Sequence, residues 1–190
     1  MSAISNPMHR ALELARQGLG RTSPNPAVGA VVVKDGELVG EGFHTWAGTK
    51  HAEVIALEAA GARAKGADLY VTLEPCNHHG RTAPCVDAIL ASGVKRVIAA
   101  CADPNPTVDG QGIARLQSNG VEASFDPQAE SDALALNQPF FHFCKTGRPL
   151  VTVKAAVTLD GKIAAPEDSS AGVVPAWITS EQARTHVQGL

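Results

Sequence analysis

The sequence predicts an α/β fold with a five-stranded mixed sheet. Apolar, β-branched segments alternate along the chain with segments whose apolar residues recur at helical spacing. The strands predicted over residues 27–33 and 38–43 are joined by the turn Lys34-Asp35-Gly36-Glu37, which predicts an antiparallel hairpin. The strands predicted over residues 67–73 and 94–101 are separated by a helical segment, which implies parallel pairing through a right-handed crossover. Together the two kinds of pairing make the predicted sheet mixed.

The remaining elements follow in a regular order. The first helix is predicted over residues 7–18, where glycines end the helical pattern. The other predicted elements are helices over residues 51–64, 86–91, 113–119 and 127–137 and a fifth strand over residues 121–125. Between the first helix and the first strand, two prolines restrict the backbone around Asn25 and hold its amide in one place. An ordinary loop with a turn-forming Asn is the alternative interpretation.

Composition argues against several classes of protein. The 190 residues are 44% hydrophobic and 18% charged, so the chain can build a core. The net charge of -3 and the lack of a long basic run argue against a nucleic-acid partner. We see no signal peptide, and no apolar run approaches the roughly 18 residues of a membrane span, so we expect a cytoplasmic chain without a membrane partner. Four cysteines without an export signal suggest a reducing compartment, and Cys101 and Cys144 are interpreted as small buried hydrophobes.

One stretch of the chain predicts a metal site. His51 and Glu53 open the second predicted helix, and Cys76 and Cys85 lie on either side of a polar loop after the third strand. One imidazole and two thiolates suit a tetrahedral Zn²⁺ ion and leave its fourth position open for water. Glu53 is well placed to move protons between that water and a substrate nitrogen. The pattern H-x-E followed by P-C and a second Cys is typical of zinc nucleobase deaminases.

Other side chains near this stretch carry weaker signals. His78 and His79 are alternative ligands, although His51 already completes a three-ligand set. Arg81 is the obvious contact for an anion or a carbonyl in the loop, and a solvated surface charge is the alternative. His44 ends the second predicted strand and precedes the helix predicted over residues 51–64. A functional role near the start of that helix and a purely structural role are the two alternatives for His44.

The character of the chain changes after Cys144. Residues 145–149 are predicted to be a linker, and residues 150–157 a β-branched strand. Residues 167–175 are predicted to be a loop, after which Thr179-Ser180-Glu181 caps a short helix. A segment of about 40 residues is too short to form an independent core without help. Residues 146–190 are therefore expected either to pack on the domain formed by residues 1–145 or to be the first, incomplete piece of a second domain.

Four stretches of the sequence are similar to those of one enzyme family. They are SPNPAVG at residues 23–29, HAEV at 51–54, YVTLEPCNHHGRTAPC at 70–85 and DPNP at 103–106. Together they resemble the deaminase domain of the bifunctional riboflavin-biosynthesis proteins, the RibD or RibG family. The long spacing between the two cysteines fits this family. The resemblance implies a three-layer α/β/α, cytidine-deaminase-like fold.

The tail resembles the start of the reductase domain of the same family. The similar pieces are residues 148–149, 153–155, 159–164 and 177–180. Most of that domain is absent from this sequence, including most of its dinucleotide site. Reductase activity is therefore not expected from this chain, and NADPH is implied only for a full-length protein with a complete reductase domain.

The resemblance also implies a reaction. It is the zinc-dependent hydrolytic deamination of 2,5-diamino-6-ribosylamino-4(3H)-pyrimidinone 5′-phosphate to 5-amino-6-(5-phosphoribosylamino)uracil and ammonia in riboflavin biosynthesis. In that reaction His51, Cys76 and Cys85 would hold Zn²⁺, and Glu53 would be the catalytic carboxylate. The family pattern places Asn25, His44 and Arg81 at the pyrimidine, and Thr82, Asp103 and Asn105 near the ribose phosphate. The partner it implies is this small-molecule pyrimidine ribotide, and we expect the chain to form a homo-oligomer.

Two other functions compete with this one. Another zinc deaminase, acting on cytidine or on adenosine in tRNA, would use the same ligands. The specific loop at residues 77–84 and the acidic net charge argue against it, because an enzyme acting on tRNA should carry a basic surface. A non-catalytic zinc-binding module is the second alternative. Structural zinc sites usually close with four protein ligands, whereas here three ligands are accompanied by Glu53.

Overall fold

The computed structural model describes residues 4–78, 80, 82–105, 110–163 and 178–188. The chain divides into two compact units, Met1–Leu150 and Val151–Leu190. The helices are α1 Pro7–Arg16, α2 Ala52–Ala60, α3 Cys85–Ser92, α4 Gln111–Ser118, α5 Glu130–Leu136, α6 Gln138–Thr146 and α7 Glu181–Gln188, and a short 3₁₀ helix, Gly61–Ala64, follows α2. The strands are β1 Gly29–Lys34, β2 Glu37–Phe43, β3 Asp68–Val71, β4 Arg96–Ala99 and β5 Glu122–Phe125.

The five strands form one mixed sheet in the order β2-β1-β3-β4-β5. The strands β1 and β2 are an antiparallel hairpin, β1 and β3 are antiparallel, and β3, β4 and β5 run parallel. The predicted α/β fold with a five-stranded mixed sheet is therefore confirmed.

Successive residues of β1 point into two separate apolar cores, because side chains alternate across a strand. Ala30 and Val32 pack in a core that also contains residues of α2, α3 and α4, such as Ala56 and Ile89. Val31 and Val33 pack on the other face with residues of α1, α5 and α6. The sheet thus lies between two helical layers, as the predicted three-layer arrangement requires.

A close contact between β2 and α2 positions the start of α2. A Cβ atom at Gly40 would lie 2.2 Å from the carbonyl oxygen of Ala56, and one at Gly42 would lie 2.6 Å from the side chain of Ile55. Glycine therefore lets the helix backbone lie directly against the strand. This packing helps to fix where His51, the residue before α2, is held.

The C-terminal part of the first unit differs from the prediction. The helix predicted over residues 127–137 is the shorter α5, and a further helix, α6, follows it at once. The helix α6 was not predicted, although Pro139 lies in its first turn, where proline is common. The predicted domain boundary at residue 145 falls inside this helix.

In the second unit, the strand predicted over residues 150–157 is wrong. Residues 151–158 have no regular secondary structure, and Val153 is 87% exposed. Within the described residues no strand pairs with this β-branched segment, and a strand needs such a partner. The predicted cap of the last helix is present, since Ser180 Oγ accepts a hydrogen bond from the Ala183 N–H at 3.2 Å. The loop predicted over residues 167–175 lies outside the described residues.

None of the described helices combines the length and apolarity needed to cross a membrane.

Candidate active site

Two loop segments and two helix N-termini meet at the carboxyl ends of β3 and β4. Residues 72–76 follow β3 and residues 101–105 follow β4, and the Glu74 N–H donates to the Cys101 carbonyl at 2.9 Å. His51 is the N-cap residue of α2, and Cys85 is the first residue of α3. Free N–H groups and partial positive charge at the two helix N-termini favour anionic ligands there. This is also the edge of a parallel sheet where ligand sites usually lie.

The donor atoms of His51, Cys76 and Cys85 lie within 4.8 Å of one another. The Nδ1 atom of His51 is 3.1 Å from Cys85 Sγ and 3.6 Å from Cys76 Sγ. A tetrahedral zinc ion with ordinary bond lengths would separate its N and S ligands by about 3.5 Å. The types and spacing of these donors therefore fit zinc. The other ring nitrogen, Nε2, lies 3.4 Å from Thr82 Oγ1, a contact that can orient the ring.

The two thiols near His51 differ in acidity. A hydrogen bond from the Cys85 side chain, followed by one from His51, lowers the pKa of Cys76 to about 4. The backbone N–H of Cys85 also donates to Cys76 Sγ, at 3.3 Å. The same contact with Cys76, together with burial, raises the pKa of Cys85. The geometry thus favours a thiolate at Cys76, and a metal cation would replace the proton that the pair shares.

Glu53 lies in the first turn of α2 and is only 4% exposed. Burial, and secondly the nearby Cys76 thiolate, raises the pKa of its carboxyl to about 7. The Cys85 side chain is hydrogen-bonded to the same carboxyl. A carboxyl that changes protonation near neutral pH can both accept and donate a proton.

Asn25 and His44 form a hydrogen-bonded pair beside the three ligand residues. Asn25 Nδ2 lies 3.1 Å from His44 Nε2, and His44 Nδ1 lies 3.1 Å from the Lys50 carbonyl oxygen. Since a carbonyl only accepts, His44 donates from Nδ1 and accepts the Asn25 amide at Nε2. Burial lowers the pKa of His44, which agrees with this neutral ring. The His44 and His51 rings contact each other edge to face, with centroids 5.3 Å apart.

Asp103 and Asn105 belong to the segment after β4. Asp103 Oδ1 accepts a hydrogen bond from the Asn105 N–H at 2.9 Å. Asp103 is only 8% exposed, and burial raises the pKa of its carboxyl to about 6. Arg81 and His79 lie outside the described residues, so the structure places neither.

A cavity of about 340 Å³ joins these groups. The candidate site residues that line it are Asn25, His44, His51, Glu53, Cys76, Thr82, Asp103 and Asn105. Cys85 is fully buried behind the cavity wall. The structure therefore brings together all the predicted site residues that it describes.

Sequence reasoning missed three residues that build this site. Glu74 and Phe140 also line the cavity. Asn137 is buried and binds both backbone groups of Ala27, accepting from its N–H and donating to its carbonyl, each at 2.8 Å. The signal for Glu74 was present, since a buried strand ends in an acidic residue two positions before a predicted ligand. Phe140 belongs to α6, the helix that was not predicted.

The fold and the His-Cys-Cys cluster together define a class of protein, the zinc deaminases. The model of the cytidine and deoxycytidylate deaminase zinc-binding region matches residues 1–101. The chain belongs to this family.

More specific similarities are to riboflavin-biosynthesis proteins. The chain is 52% identical over 181 residues to riboflavin biosynthesis protein RibD of Escherichia coli (strain K12), covering 95% of this chain and 48% of that protein. It superimposes on Acinetobacter baumannii RibD, form 1, with a TM-score of 0.86 and 49% identity over 96% of this chain and 49% of that one.

A third similar protein is the diaminohydroxyphosphoribosylaminopyrimidine deaminase/5-amino-6-(5-phosphoribosylamino)uracil reductase of Thermotoga maritima. Its structure gives a TM-score of 0.86 at 44% identity, covering 96% of this chain and 51% of that one. The chain thus spans about half the length of each of these three relatives.

Proposed function

We propose that this chain removes an amine by hydrolysis from the diaminopyrimidine ribotide of riboflavin biosynthesis. The observation that carries the proposal is the cluster of His51, Cys76 and Cys85 beside the buried carboxyl of Glu53, at the wall of one cavity. The names of the RibD relatives support the choice of pathway. The name of the Thermotoga maritima relative supports the choice of substrate.

His51, Cys76 and Cys85 would hold the zinc ion. When bound, zinc lowers the pKa of a coordinated water to about 7 and so supplies a nucleophile at neutral pH. Cys76 is already favoured as a thiolate by its hydrogen bonds to Cys85 and His51. Thr82 would hold the ring of His51 through its Nε2 atom.

Glu53 is the proton carrier in this proposal. Its carboxylate accepts a proton from the attacking water and delivers it to the ring nitrogen next to the reacting carbon. It then helps to protonate the amine, which leaves as ammonia while the ring carbon keeps the water oxygen as a carbonyl. The burial that raises the pKa of Glu53 to about 7 keeps both of its protonation states accessible.

Two groups of residues would hold the rest of the substrate. The neutral ring of His44 accepts one hydrogen of the Asn25 amide, so the Asn25 carbonyl oxygen is available to a pyrimidine amino group. We assign Asn25, His44 and Arg81 to the pyrimidine. Thr82, Asp103 and Asn105 are assigned to the ribose phosphate, as the family resemblance implies.

The finer assignments concern the rest of the protein. We propose that residues 1–145 are the deaminase domain and that residues 146–190 are the incomplete start of a reductase domain. NADPH would then serve only a protein that contains the whole reductase domain. We also expect the chain to act in the cytoplasm and to assemble as a homo-oligomer.

The test is ammonia release by the zinc-loaded chain from the diaminopyrimidine ribotide, with cytidine as the comparison substrate. We expect turnover of the ribotide and none of cytidine. Turnover of cytidine alone would keep the chemistry and refute the substrate. A zinc-loaded chain that acts on neither would refute the proposal that this chain by itself is the deaminase.

A further inference from the structure

Glu74 has an unusual set of hydrogen bonds. Its side chain is buried, and both carboxylate oxygens accept from backbone N–H groups. Oε2 accepts from Asp103 at 3.3 Å and from Gly110 at 3.0 Å. Oε1 accepts from Gly112 at 3.0 Å and from Ile113 at 3.2 Å. One side chain after β3 therefore binds four amides that lie up to 39 positions away in sequence.

These bonds hold two described parts of the chain against Glu74. One is Asp103, which follows β4, and the other is the start of α4, whose N-cap is Gly110. Asp103 and Asn105 line the cavity, and Glu74 lines it beside them. The position of this wall relative to the metal ligands therefore depends on Glu74.

Further contacts hold α4 against the residues that follow β3 and against α3. A Cβ atom at Gly112 would lie 2.0 Å from the carbonyl oxygen of Pro75, so the helix backbone packs directly on the residue between Glu74 and Cys76. On the next turns of α4, Arg115 donates to Asn77 Oδ1 at 2.8 Å and pairs with Asp87 at 2.7 Å. Asn77 begins the loop between the two candidate cysteine ligands.

The chemistry of the contact requires a carboxylate. An ionised carboxylate only accepts hydrogen bonds and can take two on each oxygen. The isosteric amide of glutamine has one oxygen and one NH₂ donor. In its place, two of the four backbone N–H groups would face another donor and lose their acceptor while remaining buried.

We propose that Glu74 is a positioning residue, which clamps Asp103 and the start of α4 against the metal side of the cavity and thereby sets how tightly the ribose-phosphate end of the substrate is held. This inference rests on the proposed function for the identity of the substrate. The clamp itself can be measured without substrate.

The first experiment is hydrogen–deuterium exchange on the zinc-loaded chain carrying Glu74→Gln. We expect the amides that lose their acceptor, those of Gly112 and Ile113 or that of Gly110 according to how the Gln amide is turned, to exchange roughly tenfold faster or more. Amides of α2 should keep their rates. The matched control is Glu122→Gln, which changes an exposed carboxylate of β5 and should alter neither region. Gly112→Ala, which forces α4 away from Pro75, should reproduce the faster exchange. This variant takes the place of Glu74→Gln in the experiment if Glu74→Gln does not fold.

The second experiment measures ammonia release from the ribotide at fixed zinc content. For Glu74→Gln we expect KM to rise roughly tenfold or more while kcat changes less than threefold, because the ligands and Glu53 stay in place. Gly112→Ala should give the same split between KM and kcat, and Glu122→Gln should behave as the unmodified chain does.

Different results would refute the clamp by Glu74 and the proposed deamination. Unchanged exchange in residues 110–113 would overturn the clamp. The clamp would also be overturned if Glu74→Gln kept both its zinc and an unchanged KM, or if a loss of zinc accounted for all of its lost activity. An unmodified zinc-loaded chain that releases no ammonia from the ribotide would refute the proposed function and the substrate part of this inference. The exchange result would still decide whether Glu74 holds the start of α4.

Discussion

Replacing Asp103 by Asn should change how the stability of the protein depends on pH. Burial raises the pKa of Asp103 from 3.8 to about 6 in the folded protein. The folded state then binds more protons than the unfolded state between these two values, so the unmodified protein loses stability as pH rises through this window. A difference of about two pKa units corresponds to about 3 kcal/mol when the window has been fully crossed.

The variant Asp103→Asn has no proton to lose and keeps an oxygen that can accept from the Asn105 N–H. Relative to the unmodified protein, its free energy of unfolding should therefore increase by about 1.4 kcal/mol between pH 5 and pH 7.5. The assay is urea unfolding of the two zinc-loaded proteins at both pH values. Taking the difference between proteins at each pH removes effects that they share, such as weaker metal binding in acid.

The matched control is Asp132→Asn in α5. Asp132 is exposed, so the same substitution there involves little desolvation. The difference in free energy of unfolding between Asp132→Asn and the unmodified protein should therefore be nearly the same at both pH values. A stability difference for Asp103→Asn that does not change with pH, or that falls at pH 7.5, would refute the reasoning that burial disfavours the Asp103 carboxylate.

Three further predictions concern Glu53 as the proton carrier, Cys76 as a zinc ligand and the hydrogen bonds between Asn137 and Ala27. Glu53→Gln should keep zinc and the fold and lower kcat by roughly 10²–10⁴-fold, as ammonia release and metal analysis would show; full turnover would contradict its role. Cys76→Ser should lose zinc on dialysis while Cys144→Ser keeps it, and equal zinc contents would contradict the ligand set. Asn137→Ala should lower the free energy of unfolding by about 1–3 kcal/mol, because both backbone groups of Ala27 lose their buried partner; an unchanged urea midpoint would contradict it.

The local pattern of the sequence was sufficient for most of the fold. The turn at Lys34-Asp35-Gly36-Glu37 predicts the β1–β2 hairpin, and the alternation of strand and helix predicts the parallel β3–β4 pair. Both features follow from residues close together in the chain. The same kind of pattern failed at residues 150–157, where β-branched residues favour a strand but the described residues offer no neighbouring strand to complete it.

For the site, the sequence by itself determined the chemistry. His51, Glu53, Cys76 and Cys85 are residue types whose combination suits zinc and proton transfer wherever the chain brings them together. Their order along the chain also placed them at helix N-termini and a strand end. The acidity of the individual groups could not be predicted in this way, because the raised pKa of Glu53 comes from burial by the folded protein.

Only the tertiary structure decided which residues support that chemistry. Glu74 reaches amides 29 to 39 positions away, and Asn137 binds Ala27 across 110 positions. Phe140 reaches the cavity from a helix that local signals did not reveal. A buried polar side chain is stable only where its partners happen to lie in space, and the spacing of residues along the chain carries no record of those distant partners.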